Sequence, residues 1–337
     1  MSSTRKIAVV TGGAGFIGSH MVDLLLGQDF RVRVIDSLVG GREANLQHHT
    51  GNCDLTFDRS DIRTYQPDSA LFSGVDYVFH FAGIGDIVPS IERPTEYMST
   101  NVQGTVHMLE CARHAGVSNF IYAASSSCYG LARTPTREDH PISPQYPYAL
   151  SKYLGEQAAF HWNQVYGLPV NAIRIFNAYG TRSRTSGAYG AVFGVFLRQK
   201  LANKPFTVVG DGTQRRDFVY ATDVAQAFLK AAQTELVGQV WNVGAGNPQS
   251  VNRLVELLQG PTLHIPRRPG EPDCTHADIA KIQRDLGWSP KVSFEDGVAR
   301  VLADINYWED APLWDPVSIA KATAGWFGAL SAQGCDA

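Results

Sequence analysis

Three glycines at a fixed spacing, between an apolar run and a helical pattern, restrict the fold of this chain more than any other feature. Ile7–Thr11 is a short run rich in β-branched residues, which is typical of a buried parallel strand. Gly12, Gly15 and Gly18 follow, and residues 19–26 have apolar positions at helical spacing. A strand that enters a helix through a glycine turn predicts a parallel sheet with helices on both faces.

The same turn predicts a binding site for a dinucleotide. Glycines here permit a tight turn, a close approach of the backbone to a pyrophosphate, and close packing of helix on strand. Phe16 and Ile17 lie within the turn, and the helix after it offers free N–H groups and the positive end of its dipole to the phosphates. The spacing Gly-x-x-Gly-x-x-Gly differs from the commoner Gly-x-Gly-x-x-Gly, but the strand before it and the helix after it support the assignment.

An acidic residue at the end of the second strand indicates which dinucleotide binds. Asp36 follows the run 32–35, where a carboxylate can accept hydrogen bonds from both ribose hydroxyls and would repel a 2′-phosphate. Ser37 and Leu38 come next, so no arginine adjoins the acid, and NAD is predicted rather than NADP. Arg42 is close enough in sequence to keep NADP open, and an aspartate that only caps the strand is the structural alternative.

Strand and helix patterns alternate along the rest of the chain. Further strands are predicted at 54–57, 77–81, 120–124, 170–175, 207–209 and 240–243, and helices at 101–115 and 151–166. This alternation predicts a Rossmann-like α/β fold with a doubly wound parallel sheet. After residue 176 the pattern is less regular. We therefore expect a cofactor-binding domain over 1–176 that carries the catalytic residues. A smaller α/β substrate-binding lobe over 177–337 would return some strands to the main sheet.

Composition excludes several other classes of protein. The 337 residues are 44% hydrophobic and carry a net charge of −3, so the chain can bury a large core and has no charge excess to attract nucleic acid or a membrane surface. Its five cysteines are scattered without a Cys-x-x-Cys pair, which favours free thiols in a reducing cytoplasm over a zinc site or disulfides. No metal site is predicted, and no apolar run is long enough to span a bilayer.

A tyrosine and a lysine one helical turn apart supply the candidate catalytic groups. Tyr148 precedes Lys152 by four residues, which places both on one face of the predicted helix. An ammonium beside a phenol favours the phenolate, so we expect a lowered pKa that makes Tyr148 a usable base. Ser125 lies in a serine cluster after an apolar strand, where its hydroxyl would point into the cofactor cleft. Taken alone, each motif has a plain alternative, an exposed helix face or a serine turn.

Further motifs carry a family resemblance that covers residues 7–301. They lie at 80–83, 101–105, 174–180, 210–219, 267–271 and 277–278. With the glycine turn and the Tyr148–Lys152 pair, they make the chain resemble the extended short-chain dehydrogenases/reductases. Within these it is similar to the nucleotide-sugar epimerase/dehydratase group, typified by UDP-glucose 4-epimerase. The resemblance implies tightly held NAD as a prosthetic group and a nucleotide-diphosphate sugar, most often a UDP-sugar, as substrate.

The resemblance assigns roles residue by residue. Ser125 would bind the 4-hydroxyl of the sugar, Tyr148 would act as acid and base, and Lys152 would hold the nicotinamide ribose. The further residues matched to cofactor contacts are Asp61, Ile62, Phe81, Ala82, Gly83 and Asn101. Those matched to substrate contacts are Ser126, Ser127, Asn177, Val192, Arg216, Arg268, Glu271 and Thr275. Arginine suits the diphosphate because its planar fork binds phosphate oxygens in pairs.

The implied reaction is oxidation of the sugar at carbon 4, followed by reduction of the 4-keto sugar on its other face. Dehydratases of this group carry Asp-Glu where this chain has Ser126 and Ser127, and decarboxylases usually carry a glutamate at the second position. Serine is no general acid or base near neutral pH, so epimerisation is predicted over elimination. Galactose epimerases place a lysine at Gly85 and a bulky tyrosine at Thr275. The smaller threonine leaves room for an N-acetyl group.

Two other functions stay open from the sequence. One is a dehydratase or decarboxylase that forms a 4-keto sugar with unfamiliar residues, and the other is a non-catalytic NAD-binding sensor. The helices 101–115 and 151–166 match those that form the dimer in related enzymes, so a homodimer is predicted. The aromatic tail, residues 307–327, is expected to pack a terminal helix onto the substrate lobe, with partner binding as its alternative.

Overall fold

A parallel sheet forms the centre of the protein, which the computed structural model describes over residues 5–183, 192–267 and 271–331. The strands are β1 (Ile7–Thr11), β2 (Arg31–Ile35), β3 (Leu55–Asp58), β4 (Tyr77–His80), β5 (Asn119–Ser125), β6 (Val170–Ile175), β7 (Asn177–Tyr179), β8 (Phe206–Val209), β9 (Arg215–Arg216), β10 (Phe218–Tyr220), β11 (Val240–Val243), β12 (Gln249–Ser250) and β13 (Thr262–Ile265). In these ranges the main sheet has seven parallel strands in the order β11-β6-β5-β4-β1-β2-β3. The order reverses between β1 and β4, where ligands of such sheets bind at the carboxyl ends of the strands.

Helices cover both faces of this sheet. The helices are α1 (Phe16–Gly27), α2 (Ile87–Glu92), α3 (Pro94–Met98), α4 (Gly104–Ala115), α5 (Pro147–Tyr166), α6 (Val192–Leu201), α7 (Ala221–Gln233), α8 (Val251–Leu258), α9 (Ala280–Leu286), α10 (Phe294–Ala303) and α11 (Pro316–Ser331). One face packs against α1 and α7, and the other against α4 and α5. Because both faces are covered, the strands are nearly continuous apolar runs. The predicted doubly wound α/β fold is confirmed.

The second half of the chain builds smaller sheets around its own aromatic core. β8 pairs with β13 and β7 with β10, both in parallel, while β9 pairs with β12 in antiparallel fashion. Tyr179 stacks on Phe193 with 4.7 Å between ring centroids, and Phe218 stacks on Phe294 at 5.2 Å. β11 pairs with β6 in the main sheet. The division into two domains at residue 176 stays a prediction.

The ends of several elements differ from the sequence expectation. β1, β6 and β11 have the predicted bounds, but α5 begins at Pro147, four residues earlier than expected. Proline suits the first helical position because its missing N–H needs no partner there. The helix expected at 101–115 contains a π-helical turn, Ser99–Gln103, which joins α3 to α4. The helices α2, α3 and α6 to α10 were not among those predicted from the sequence.

The tail packs as expected where its side chains are described. Trp308 is fully buried and shares a core with Ile319 of α11 and with residues of α6, α8 and α10. Trp314 packs against the same core, while the side chains of Trp326 and Phe327 lie outside the described part. α11 also contacts α2, which follows β4 of the main sheet. Among the helices in the described ranges, none is both long and apolar enough to cross a membrane.

Candidate functional site

The glycine turn between β1 and α1 is packed too closely for side chains. Gly12 has a φ of +68°, and a Cβ there would lie 2.8 Å from the backbone nitrogen of Ala82. A Cβ on Gly18 would overlap the carbonyl oxygen of Gly12. α1 begins at Phe16, directly after Gly15, so its first N–H groups, which have no intrahelical partner, border the turn. This bare backbone at a helix N-terminus fits the pyrophosphate of a dinucleotide.

Asp36 lies beside this turn with a buried carboxylate. Its oxygens accept hydrogen bonds from the backbone N–H groups of Ala14 at 3.0 Å and Leu38 at 2.8 Å. Burial raises the pKa of Asp36, and these backbone hydrogen bonds lower it. The backbone of Gly15 is a further hydrogen-bond partner, and because a carboxylate offers about four lone-pair positions, capacity for a ribose hydroxyl is left. Asp36 therefore fits the predicted ribose contact and is tied to the turn as well.

A buried histidine fixes the end of β4 next to the glycine turn. His80 is fully buried, with Nδ1 2.7 Å from Thr11 Oγ1 and Nε2 3.0 Å from Thr105 Oγ1. Thr11 Oγ1 also accepts a hydrogen bond from the backbone N–H of Ala82 at 3.2 Å. Burial lowers the pKa of His80 to about 3, so the ring is neutral at physiological pH. The sequence placed His80 only in a family motif and gave it no role. The structure makes it a positioning residue of the cofactor loop.

Asn101 holds the loop that follows β4. Its Oδ1 accepts a hydrogen bond from the N–H of Ile84 at 2.8 Å. Its Nδ2 lies 3.0 Å from the carbonyl oxygen of Ile84 and 2.9 Å from Ser151 Oγ. Gly83 is packed in between, since a Cβ there would lie 2.9 Å from Asn101 Oδ1 and 3.8 Å from Lys152 Nζ. Asn101 thus joins the loop containing Ala82 and Gly83 to the helix that carries the catalytic candidates.

Three residues expected at the cofactor have side chains occupied by protein partners. Asp61 forms an ion pair with Arg63, whose Nε donates to it at 3.0 Å, and this lowers the pKa of the carboxyl. Ile62 is 4% exposed and packs closely on Gly104 of α4. Phe81 packs against Phe228 of α7, with 4.5 Å between ring centroids. If these residues contact adenine or ribose, they would therefore do so through backbone atoms or through side-chain atoms that these protein partners leave uncovered.

The candidate catalytic tyrosine and serine are neighbours. Tyr148 lies in the first turn of α5, and Ser125 ends β5. The Tyr148 hydroxyl is 3.5 Å from Ser125 Oγ. Burial raises the pKa of Tyr148, and the hydrogen bond with Ser125 lowers it by a smaller amount. The expectation that the nearby lysine lowers this pKa is therefore wrong for the protein alone, because removal of the phenol from water has the larger effect.

Lys152 lies one turn further along α5, in a buried position. Its Nζ is 4.5 Å from the centroid of the Tyr122 ring, a cation–π arrangement. Burial lowers the pKa of Lys152 to about 8, and the carboxylate of Glu156, one more turn along, opposes this shift. Glu156 in turn forms a bidentate pair with Arg174 of β6, with distances of 2.6 and 2.9 Å. The helix face with Tyr148 and Lys152 thus carries a charge partner that is anchored in the sheet.

The serine cluster after β5 forms a short helical turn, Ser126–Tyr129. Ser125 caps this turn, and its Oγ lies 2.8 Å from Ser127 Oγ and 3.2 Å from the N–H of Ser127. Ser127 therefore touches the same hydroxyl as Tyr148. Cys128 is 1% exposed, and burial raises its pKa to about 12, so it is a packing thiol.

Four of the residues matched to substrate contacts form two hydrogen-bonded pairs in the second half of the chain. Arg216 of β9 donates to Glu271 at 2.6 Å and to the carbonyl oxygen of Pro272 at 2.9 Å. Thr275 Oγ1 donates to Asn177 Oδ1 at 2.6 Å. Arg215 of β9 forms a backbone bridge with Cys274. This bridge holds the segment of Arg216 next to the segment of Thr275, so the two pairs are neighbours in the fold. Val192 is the first residue of α6. Arg268 lies outside the described residues.

One cluster with metal-ligating side chains occurs within the described ranges, away from the predicted site residues. It comprises Asp23, His48 and His49, whose Nε2 atoms lie 2.8 and 2.7 Å from Asp23 Oδ1. The other carboxylate oxygen accepts a hydrogen bond from Arg182 at 2.6 Å. The carboxylate therefore already has a cationic partner, and we assign no metal to this cluster.

Comparison with known sequences decides the family. A sequence model described as the NAD dependent epimerase/dehydratase family matches residues 8–244. The chain belongs to this family. It is 36% identical over 303 residues to a putative UDP-glucose 4-epimerase of Methanocaldococcus jannaschii, a match that covers 87% of this chain and 96% of the relative. The predicted family, an NAD-dependent enzyme class and NAD as cofactor are confirmed.

Solved structures of the epimerase/dehydratase family have the same fold. A UDP-N-acetylglucosamine 4-epimerase of Methanobrevibacter ruminantium, in complex with UDP-N-acetylmuramic acid, aligns with a TM-score of 0.83 and 29% identity, over 90% of this chain and 100% of that one. A dTDP-glucose 4,6-dehydratase of Streptomyces venezuelae with bound NAD aligns with a TM-score of 0.82 and 30% identity, over 90% and 99%. The family thus includes neighbours that catalyse both of the reactions considered above.

Proposed function

We propose that this protein is an NAD-dependent nucleotide-sugar 4-epimerase that acts on a UDP-hexose or a UDP-N-acetylhexosamine. The observation that carries the proposal is the position of the Tyr148 phenol, 3.5 Å from Ser125 Oγ and one helical turn from the buried Lys152. Ser125 ends β5, Tyr148 and Lys152 lie on α5, and a Cβ on Gly83, in the loop after β4, would lie 3.8 Å from Lys152 Nζ. A sensor that only bound NAD would need no such base.

Tyr148, Ser125 and Lys152 have separate roles in the proposed proton transfer. Bound NAD+ supplies the hydride acceptor for carbon 4 of the sugar. Tyr148 takes the proton of the 4-hydroxyl as the C–H bond at carbon 4 breaks, and it returns that proton when the carbonyl is reduced. Ser125 hydrogen-bonds the same sugar oxygen and so orients it. With NAD bound, the Lys152 ammonium would oppose the effect of burial on the pKa of Tyr148 and so favour the tyrosinate form.

The serine turn favours epimerisation over loss of water. Ser126 and Ser127 occupy the positions at which related dehydratases carry a carboxylate pair. Ser127 is hydrogen-bonded to Ser125, so it supports the orienting hydroxyl instead of offering an acid or base. A dehydratase or decarboxylase remains the second candidate, because a solved dehydratase is among the structural neighbours and a UDP-glucuronic acid decarboxylase is among the relatives.

Thr275 supports the N-acetylhexosamine as substrate. Its side chain is hydrogen-bonded to Asn177, and a threonine there takes less space than the tyrosine of galactose epimerases. A UDP-N-acetylglucosamine 4-epimerase among the structural neighbours fits this interpretation. Thr275→Tyr should selectively abolish turnover of N-acetylated substrates. Equal losses on UDP-glucose and UDP-N-acetylglucosamine would contradict a role in sugar selection.

One assay separates the candidate functions. Purified protein is incubated in turn with UDP-glucose, UDP-N-acetylglucosamine, UDP-glucuronate and dTDP-glucose, and the products are identified by NMR and mass spectrometry. A stereoisomer of unchanged mass supports the epimerase. Loss of water or carbon dioxide refutes it in favour of the second candidate, and absence of turnover on all four refutes both.

A pair of variants tests the catalytic phenol. Tyr148→Phe removes the hydroxyl and should lower kcat by about 10²- to 10⁴-fold, the usual contribution of a general acid–base group. Tyr166→Phe, at the exposed end of the same helix, is the matched control and should keep the wild-type rate. Comparable activity of the two variants would refute the role of Tyr148.

We also propose a homodimer and a cytoplasmic location. Leu150 and Leu154 are each 38% exposed and lie one turn apart on the outer face of α5, a helix that forms the dimer in related enzymes. Leu154→Asp should shift the mass measured by light scattering from dimer to monomer. A wild-type protein that is monomeric at micromolar concentration would contradict the proposal. Fractionation of cells tests the location.

A further inference from the structure

The tail of the chain reaches the adenosine end of the cofactor site through Tyr307. This tyrosine lies in a short helical turn, Ile305–Trp308, outside every motif singled out in the sequence. Its hydroxyl donates a 3.0 Å hydrogen bond to Asn45 Oδ1, 262 positions away. Asn45 Nδ2 donates at 2.8 Å to the carbonyl oxygen of Ala14, inside the glycine turn. Tyr307 is thus one hydrogen-bonded residue away from the backbone that fits the cofactor.

The ring of Tyr307 also holds an arginine that follows the ribose-binding acid. The guanidinium carbon of Arg42 lies 5.2 Å from the Tyr307 ring centroid, a cation–π distance. The backbone N–H of Arg42 donates at 3.0 Å to the same carbonyl oxygen of Ala14. The preceding residue, Gly41, packs directly on Asp36, since a Cβ there would lie 2.8 Å from both carboxylate oxygens. Arg42 therefore starts from a backbone position next to the predicted ribose site.

An arginine in this position is the natural ligand of a 2′-phosphate. Its planar fork binds phosphate oxygens in pairs, and NADP-binding relatives of this fold use an arginine near the ribose for that purpose. Asp36 alone disfavours NADP by repulsion, but a free guanidinium next to it would offset part of that repulsion. The sequence left NADP open for this reason.

We propose that Tyr307 is a cofactor-specificity residue, whose ring withholds the Arg42 guanidinium from a 2′-phosphate and so reinforces the choice of NAD over NADP. The inference concerns the cofactor and does not depend on which sugar is the substrate.

The ring of Tyr307 is fixed firmly enough for this role. Its neighbour Trp308 is fully buried, and the two rings meet edge to face at 5.2 Å. The Tyr307 hydroxyl lies 3.4 Å from the carbonyl oxygen of Arg182, in addition to its bond with Asn45. Arg42 could turn toward a bound phosphate only by leaving the ring, while the ring cannot follow it.

The test compares cofactor binding in the unaltered protein and in three variants. Each protein is stripped of bound nucleotide, incubated with equal amounts of NAD+ and NADP+, freed of unbound cofactor, and denatured so that the bound cofactors can be quantified by chromatography. Tyr307→Leu removes the ring and should raise the bound NADP+/NAD+ ratio about three- to tenfold, the scale of a partly exposed cation–π contact. Tyr307→Phe keeps the ring, so its bound NADP+/NAD+ ratio should stay below that of Tyr307→Leu. Tyr307→Leu combined with Arg42→Ala should lose the gain.

Three outcomes would overturn the inference. The first is a wild-type protein that binds NADP+ as well as NAD+. The second is an unchanged ratio in Tyr307→Leu, provided that its circular dichroism spectrum and NAD+ binding are intact. The third is a raised ratio that survives Arg42→Ala, since the arginine would then have no part in the effect. If Tyr307→Leu binds neither cofactor, the same ratio is measured in Tyr307→Val and Tyr307→Met instead. If neither of these raises the ratio, the inference fails.

Discussion

Replacement of Glu156 by glutamine should damage both the stability of the fold and the pH range of the catalytic helix. Glu156 lies on α5, one turn after Lys152, and its two oxygens accept hydrogen bonds from Arg174 of β6 at 2.6 and 2.9 Å. The side chains of the pair are 6% and 1% exposed. Glutamine keeps the shape and one acceptor, but it leaves the guanidinium as a buried charge without a counter-ion.

The size of the effect follows from this burial. Breaking a buried, bidentate pair by neutralising one partner costs about 3–5 kcal/mol, because the remaining charge is poorly solvated. Tyr129 stays a hydrogen-bond partner of Arg174 at 2.8 Å. We therefore expect the free energy of unfolding to fall by about 3 kcal/mol, the lower end of this range. Glu256, in a pair with Arg253 whose side chains are 39% and 68% exposed, gives the matched control. Glu256→Gln should cost less than about 1 kcal/mol.

Equilibrium urea unfolding, followed by circular dichroism, measures the free energy of unfolding of the three proteins. A loss below about 1 kcal/mol in Glu156→Gln, equal to that in Glu256→Gln, would refute the reasoning. The pH profile provides a second readout. The Lys152 ammonium, with a pKa of about 8, is lost as the pH rises, and Glu156 holds that pKa up. Glu156→Gln should therefore shift the alkaline limb of the epimerase activity to lower pH. An unmoved limb would exclude any influence of Glu156 on Lys152.

Three further predictions concern buried groups. The pKa of His80 is lowered to about 3 from 6.5, so the unfolded chain binds an extra proton between these values and stability falls as the pH falls below 6.5. His80→Gln should flatten this dependence by about 1.4 kcal/mol per pH unit, measured by urea unfolding at pH 6 and 4.5; parallel curves would contradict it. Gly18→Ala should abolish NAD binding in a calorimetric titration, because its Cβ overlaps backbone, whereas Gly27→Ala in the same helix has open space and should bind normally. Iodoacetamide should label exposed Cys53 well before Cys128, which is 1% exposed, as followed by mass spectrometry; early labelling of Cys128 would show that its turn opens.

The parts of the fold that the sequence predicted are those in which local pattern and burial coincide. β6 and β11 are buried on both faces, so their ends fall where the apolar runs end, and both were predicted to the residue. Pro147 marks the beginning of α5, but the residues around it read as a loop because proline and turn residues crowd the preceding segment. A helix start of this kind is decided by packing of the following turns more than by local propensity.

For the candidate site, the sequence predicted which groups come together but not their electrostatics. Ser125 and Tyr148 are neighbours as expected, yet the pKa of Tyr148 is raised because the phenol is withdrawn from water. The burial of a side chain depends on every element packed around it. It cannot be read from the four-residue spacing between Tyr148 and Lys152. Asp61 was matched to adenine, and its pairing with Arg63, two positions away, is a local contact that the motif did not reveal.

Contacts between distant parts of the chain were beyond the sequence pattern. Tyr307 carries no motif, and its hydrogen bond to Asn45 depends on the path of the entire second half of the chain. His80 was visible as a member of a family motif, but its two threonine partners come from β1 and α4, and only the folded sheet brings them together.

The bond between Tyr307 and Asn45 has a consequence for biosynthesis. Ribosomes deliver the glycine turn and Asp36 early, while the aromatic partner of Arg42 emerges only after residue 307 has been translated. A nascent chain can therefore form its first strands and helices long before the border of the adenosine pocket is finished. Discrimination between the two nicotinamide dinucleotides would then begin only once the segment around residue 307 has been synthesised and packed against the first half of the chain.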